Sequence, residues 1–385
     1  MTIVLPRHRL VAGSLALLLP LGGAAACGVE KQRTVKAELA LAQTNLGQSK
    51  VMSVTLHLAD PKGSLAKAMG SGADPTPTTV TQAVLAGGIT VTVDPAGAQT
   101  LAQVSRQTGS TTLTPEALTA RLKKVQLALA VKDARGPVVE LRLVDGVLYA
   151  HVDLAEISRL AGDSSVQDGL TQAEADPTFG PLVKDVRAGK WVRLDLAPLL
   201  RQFAALAQTV SPQLTTPRTG ATLDTTRLGR DLFAAVKPYV RITDANDSSS
   251  DRVLDVRVQL RPAVKAALAV LRATKSLPGL ALLQGIDAGA IDRTLSTGTV
   301  DGQLRLANGH LTQLSLDLQS ARNVAARPGG PDLTGSKVIV DVDDTASPVT
   351  VPTNVSRVDL GALVDQFFGA FTGGPGEGMP SSYAG

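Results

Sequence analysis

Three groups of side chains in this sequence are of types that could do chemistry. Ser64-Leu65-Ala66-Lys67 has the Ser-x-x-Lys spacing, which puts a lysine one helical turn from a serine, close enough to help deprotonate a nucleophilic hydroxyl. Two fixed positions in four recur by chance, and neither Ser-Asp-Asn nor Lys-Thr-Gly follows downstream, so a solvated helix start is the expectation. His57, His151 and His310 each fall inside a strand pattern; brought together, imidazoles could bind a metal or shuttle protons. None has a His-x-x-x-His partner or a nearby cysteine, and each is read as a polar residue on a strand's outer face. Asp341, Asp343 and Asp344 offer oxygens for a cation but lack the glycine and closing glutamate of a calcium loop, so they read as a solvated strand end. The chain has no G-x-S-x-G, H-E-x-x-H, P-loop or dinucleotide fingerprint. The expectation is a protein that is not an enzyme, with no catalytic residues, metal or cofactor.

Cys27 is the sole cysteine of 385 residues, which excludes a disulfide framework. Arg7 and Arg9, an apolar run from Leu10 to Leu21 and the small residues Gly22 to Ala26 precede it. That is a charged region, an apolar core and a cleavage site, too short to span a bilayer. Ala24-Ala25-Ala26-Cys27 resembles the lipobox of bacterial lipoproteins, with Ala24 where leucine is usual. The resemblance implies removal of a signal peptide over 1–26, diacylglycerol on the Cys27 sulfur and acylation of its new amino group. Two acyl signals give stable anchoring. The expected location is the extracytoplasmic face of the plasma membrane, with the lipid as the membrane contact and 27–48 as a lipidated polar tether. A net charge of +4, evenly spread, excludes a nucleic-acid footprint.

The elements that must position these residues are mostly strands. Alternation over 53–58, 89–93, 125–131, 138–144 and 147–152 puts apolar residues on one side and polar residues on the other. Asp145-Gly146 and Asn308-Gly309, each between two such runs, predict type I′ hairpins. Further strands are predicted over 190–196, 254–260, 297–306, 310–318 and 337–342. Helices are predicted over 115–123, 154–160, 181–187, 197–210, 224–236 and 262–273, and a short amphipathic piece over 360–371. Thr243 to Asp251 reads as polar turn. About ten hairpin-linked strands without regular β-α-β alternation predict an α+β fold with a large antiparallel sheet, as a single domain over 49–371. The Gly/Pro/Ser tail, 372–385, is expected to be disordered.

Several strands carry phrases that resemble one family in order. Val144-Asp145-Gly146-Val147-Leu148-Tyr149, Gly189-Lys190-Trp191-Val192-Arg193-Leu194-Asp195, Gly309 to Leu316, and Val338 to Val342 with Pro348 to Pro352 are similar to actinobacterial envelope lipoproteins of the LppX/LprG type. The resemblance covers roughly 45–355 and its phrases mark strands rather than catalytic groups. It implies a half-barrel, a curved antiparallel sheet with helices on its concave face, and an apolar cavity between them for acyl lipids or glycolipids. This chain is longer than is usual there, with extra residues over 60–86 and 198–250. The apolar helical faces that would line such a cavity are Leu199, Phe203 and Leu206, then Val264, Leu268 and Leu271, then Leu280 and Leu283. The same residues could equally pack as a filled core. Two functions therefore stand side by side: a lipid-binding or lipid-carrying lipoprotein, and a structural or regulatory envelope lipoprotein acting through a protein partner. A large apolar cavity separates them.

Overall fold

Strand alternation builds one sheet. The computed structural model describes residues 34–65, 86–95, 99–103, 120, 122–161, 165–176, 180–196, 225–246, 251–273, 288–325 and 332–358. Its strands are β1 (Met52–Ala59), β2 (Ile89–Pro95), β3 (Val125–Lys132), β4 (Pro137–Val144), β5 (Val147–Val152), β6 (Trp191–Asp195), β7 (Val240–Asn246), β8 (Asp251–Gln259), β9 (Thr299–Ala307), β10 (His310–Asp317), β11 (Lys337–Asp343) and β12 (Val355–Arg357). They lie in the order β12-β6-β5-β4-β3-β2-β1-β11-β10-β9-β8-β7. Every pair is antiparallel except β12 beside β6. The sheet is curved and open, and with its helices gives the α+β class that the strand pattern predicts and the half-barrel that the resemblance implies. Two meanders, β1 to β6 and β7 to β11, are seamed by the pairing of β1 with β11.

The two tight turns form as their residues dictate. Asp145 and Gly146 have φ of 52° and 78°, and Asn308 and Gly309 have φ of 52° and 77°, the left-handed pair a type I′ turn needs. Two strands go beyond the sequence reading. β7 occupies part of the segment read as polar turn; it is an edge strand whose exposed Arg241, Thr243 and Asp244 hide its pairing, as polar edge strands do. β12 is three residues long, too short to show a period.

The helices are α1 (Val35–Gln48), α2 (Leu154–Ala161), α3 (Ser165–Glu174), α4 (Gly180–Arg187), α5 (Thr225–Val236), α6 (Leu260–Ala273), α7 (Ala288–Thr294) and α8 (Leu318–Val324). Among the described residues no helix is long and apolar enough to cross a membrane. The expected helices over 115–123 and 197–210, and the piece over 360–371, lie wholly or mostly outside the described residues.

Within the polar segment expected as a tether over 27–48, residues 35–48 pack on the sheet as α1. Thr34 caps it, its hydroxyl accepting from the Ala37 N–H at 3.3 Å. Ala42 is buried with Leu254, Leu304 and Leu306, and Val35 and Leu39 pack against that cluster. The helix is then tied down by polar contacts. Arg252 pairs with Glu38 at 3.0 Å and donates from Nε to Asp244 Oδ1 at 3.1 Å. Asn45 Nδ2 donates to the Gly309 carbonyl at 2.9 Å, and Ser49 Oγ donates to the Asp344 carbonyl at 2.5 Å. A Cβ on Gly309 would sit 2.5 Å from Leu41 Cδ2, which could swing aside, so it is the positive φ that makes this turn need glycine. Residues 35–48 are thus part of the folded body.

Candidate functional site

Residues paired directly across an antiparallel sheet point to the same side. One such row crosses nine strands: Leu254, Leu304, Leu314, Val340, Leu56, Ile89, Val131, Val139 and Val152. Next to it runs Val342, Val54, Val91, Leu129, Leu141, Ala150 and Val192. The sheet therefore has one face that is apolar from β8 to β6.

The cover over that face is uneven. Where α1 crosses it, Leu254 and Leu304 are 0% and 3% exposed. At β2, Ile89 and Val91 are each 37% exposed, although they lie in the middle of the sheet. Their neighbours Val54 and Leu56 on β1 and Leu127, Leu129 and Val131 on β3 are all only half-buried. Over the first half of β2 the apolar Ile89 and Val91 are the exposed residues while Thr90 between them is buried, and at its end Asp94 and Pro95 are both buried. A strand with one covered face normally buries its apolar side; β2 does the reverse at Ile89, Thr90 and Val91.

The opposite, polar face carries a strap. After β11 the chain crosses back to the β6 edge and pairs there as β12. Val349 packs with Val144 and Tyr149, and Trp191 and Val355 join them. The Val349 N–H donates to Asp94 Oδ2 at 2.9 Å, and Arg142 Nη1 donates to the Thr350 carbonyl at 3.2 Å. The Arg142 guanidinium also lies 4.7 Å from the centre of the Trp191 ring, a cation–π contact. Burial pushes the Asp94 carboxyl above its ordinary pKa, partly offset by the Val349 N–H. On the same face a groove of about 410 Å³ between β8–β10 and α8 is lined mostly by polar residues, some of which pair with one another. Gln303 donates to Asp255 at 3.0 Å, and Gln319 to Asn323 at 3.0 Å.

The residues that could do chemistry are separated and individually partnered. His57 Nε2 lies 2.9 Å from Asp341 Oδ2, and His310 Nδ1 lies 2.7 Å from Asp344 Oδ2. His151 stacks on Trp191 with ring centres 5.2 Å apart. Asp343 accepts from the backbone and hydroxyl of Thr345 at 2.9 and 2.8 Å. The acidic run therefore lies beside histidines and caps a turn, with Asp343 exposed at the strand end. Among the described residues, no three His, Cys, Asp or Glu side chains gather into a metal-ligating group. Ser64 opens a helical turn held by Asp60, whose carboxylate accepts from the Ser64 and Leu65 N–H groups at 2.9 and 2.8 Å. Lys67 and Cys27 lie outside the described residues.

Of the residues expected to line a cavity, Val264, Leu268 and Leu271 fall on α6. Leu268 is buried and the other two are half-buried, on a helix that packs against α5 and α7. Leu199, Phe203, Leu206, Leu280 and Leu283 lie outside the described residues. The sheet residues Ile89, Val91 and Leu129 were legible as one face of alternating strands. Nothing local in the sequence marks that face as less covered there than under α1.

At the end of the sheet where β3 turns into β4, a charge cluster joins the turn to α2. Asp133 accepts from the Arg135 and Gly136 N–H groups at 2.7 and 3.0 Å and pairs with Arg159 at 2.8 Å. The Glu156 side chain beside it, opposed by burial and helped by those N–H groups and Arg159, holds the Asp133 carboxyl down to about 2. A carboxyl whose folded pKa lies below its unfolded value of 3.8 binds fewer protons when folded. Its stabilisation is full above about pH 4 and fades as pH falls towards 2. Asp133→Asn is expected to lower the urea midpoint at pH 7 and to match the parent near pH 2. A difference that persists unchanged at pH 2 would refute the assignment.

No protein-family model and no curated protein matches this sequence. The structure is similar to the crystal structure of Mycobacterium tuberculosis lipoprotein LppX, at 10% sequence identity and a TM-score of 0.28, over 82% of this chain and 97% of that chain.

Proposed function

We propose that this chain is a lipid-anchored envelope protein that binds or carries acyl lipids, glycolipids among them, on the apolar face of its half-barrel. The observation that carries the reading is the change in cover along one row of paired residues, from 0% exposed at Leu254 to 37% at Ile89. A filled core would bury the centre of the sheet best; among the described residues the apolar side chains at the centre, Ile89 and Val91, are the more exposed ones. An acyl chain laid over β1 to β4 gains roughly 0.8 kcal/mol for each methylene taken from water. The reading requires no reacting group, which suits the separate pairing of His57, His310 and the acidic run. In it, Val264, Leu268 and Leu271 are the α6 contribution to the cavity wall, and diacylglycerol on Cys27 holds the protein at the extracytoplasmic face of the plasma membrane.

The test is native mass spectrometry with lipid extraction on protein expressed from Gly28 in a lipid-producing host. Near-stoichiometric co-purified acyl lipid is the expected result and would name the ligand class. A clean apo mass, unchanged after incubation with envelope lipids, would overturn the reading in favour of a structural or regulatory lipoprotein that acts through a protein partner.

A further inference from the structure

α1 changes how far the folded body can stand from its anchor. Were 27–48 a tether, it could extend well over 60 Å at about 3.3–3.6 Å per residue. Because the helix capped by Thr34 is packed into the body, only the seven peptide steps from Cys27 to Thr34 remain, and they reach about 25 Å at most.

The point to which that short leash is tied lies at one end of the sheet. Glu38, one turn into α1, meets Arg252 near the start of β8, and Asp251 pairs with Ala307 at the end of β9. The Asn308-Gly309 turn, the Asp344 exit of β11 and the start of β1 are at this same end, bridged by Asn45 and Ser49. The Asp145-Gly146 turn joins them, because β1 begins opposite the end of β2 and β3 begins opposite the end of β4. We infer that this α1-bearing rim is the membrane-facing surface of the protein, held against the bilayer by the length of the leash. The inference rests on the reading of Cys27 as lipidated. Exposed charge along the rim is mixed, with Lys50, Lys123 and Lys124 offset by Asp145, Asp195 and Asp343. Attraction to anionic headgroups therefore does not set the orientation, which should change little with salt.

Asp251 and Gln259 mark the two ends of β8. Both are exposed, they point to the same side of the sheet, and eight residues put them about 27 Å apart. The experiment uses the full lipidated chain in phosphatidylethanolamine–phosphatidylglycerol vesicles. Asp251→Cys or Gln259→Cys is labelled with a fluorescent donor after Cys27 has been blocked by its own lipid, and the vesicles carry an acceptor on lipid headgroups. Energy transfer is expected to be several-fold stronger from position 251 than from 259, at low and high salt alike. Inserting about twenty Gly/Ser residues between 33 and 34 is expected to abolish that difference. Equal transfer from both positions in vesicle-bound protein, or stronger transfer from 259, would overturn the orientation while leaving the anchor intact. Protein that never enters the vesicle fraction would overturn the anchor reading and the orientation with it.

Discussion

Val91→Glu is expected to strip acyl lipid from this protein while leaving it folded. Val91 sits opposite Val54 on one side and Leu129 on the other, in the less buried part of the apolar face. At 37% exposure a carboxylate there keeps much of its water in the empty protein. The cost to folding should then be no more than about 1 kcal/mol, the range of strand-propensity changes. With an acyl chain in place the same carboxylate must be dehydrated or must displace the chain. Losing contact with three or four methylenes at roughly 0.8 kcal/mol each removes about 3 kcal/mol, or around a 100-fold drop in affinity. Lipid occupancy by native mass spectrometry, set beside a urea unfolding curve, separates the two effects. Full occupancy in the variant would place the lipid elsewhere, and occupancy lost together with folding would make Val91 a packing residue.

The second large effect concerns the junction of α1 with the sheet. Arg252 is buried on the apolar side of β8, its side chain 10% exposed, between Glu38 at 15% and Asp244 at 31%. Hydrogen bonding to Asp244 and then to Glu38 outweighs burial and raises the guanidinium's pKa, and Arg252 in turn lowers that of Asp244. Arg252→Ala leaves two carboxylates facing a gap with no cation between them. Removing one member of a buried ion group costs about 3–5 kcal/mol, and the partial exposure of Asp244 argues for the lower part of that range. That is a large share of the roughly 5–15 kcal/mol by which a domain is stable. The urea midpoint should fall accordingly, and amide exchange in α1 should speed up most. Adding Glu38→Gln and Asp244→Asn should restore much of the loss, since it removes the stranded charges. A loss under about 1 kcal/mol would mean that water screens the group as it does a surface pair.

What the chain reveals locally, it reveals well. The alternation in β1 to β6 and β8 to β11 follows from a two-residue period that needs no knowledge of neighbours. Asp145-Gly146 and Asn308-Gly309 adopt positive φ because those residue types tolerate it. β7 and α1 escaped correct reading for the opposite reason. β7 is an edge strand with exposed Arg241, Thr243 and Asp244, and only its pairing with β8 makes it a strand. α1 offers Val35, Leu39 and Ala42 to the core, a narrow stripe in a sequence that otherwise looks like a polar spacer.

The sequence by itself determined the class of fold, the hairpins, which residues of each strand share a face, and the scarcity of catalytic motifs. All of these depend on residue type and short spacing. The tertiary structure alone decided that β1 pairs with β11, that His57 and His310 meet Asp341 and Asp344, and that α1 roofs one end of the apolar face while Ile89 and Val91 are 37% exposed. The physical reason is that a period records which way a side chain points, whereas cover depends on which distant segment reaches it. That second quantity is set by packing across hundreds of residues of chain and leaves no local mark.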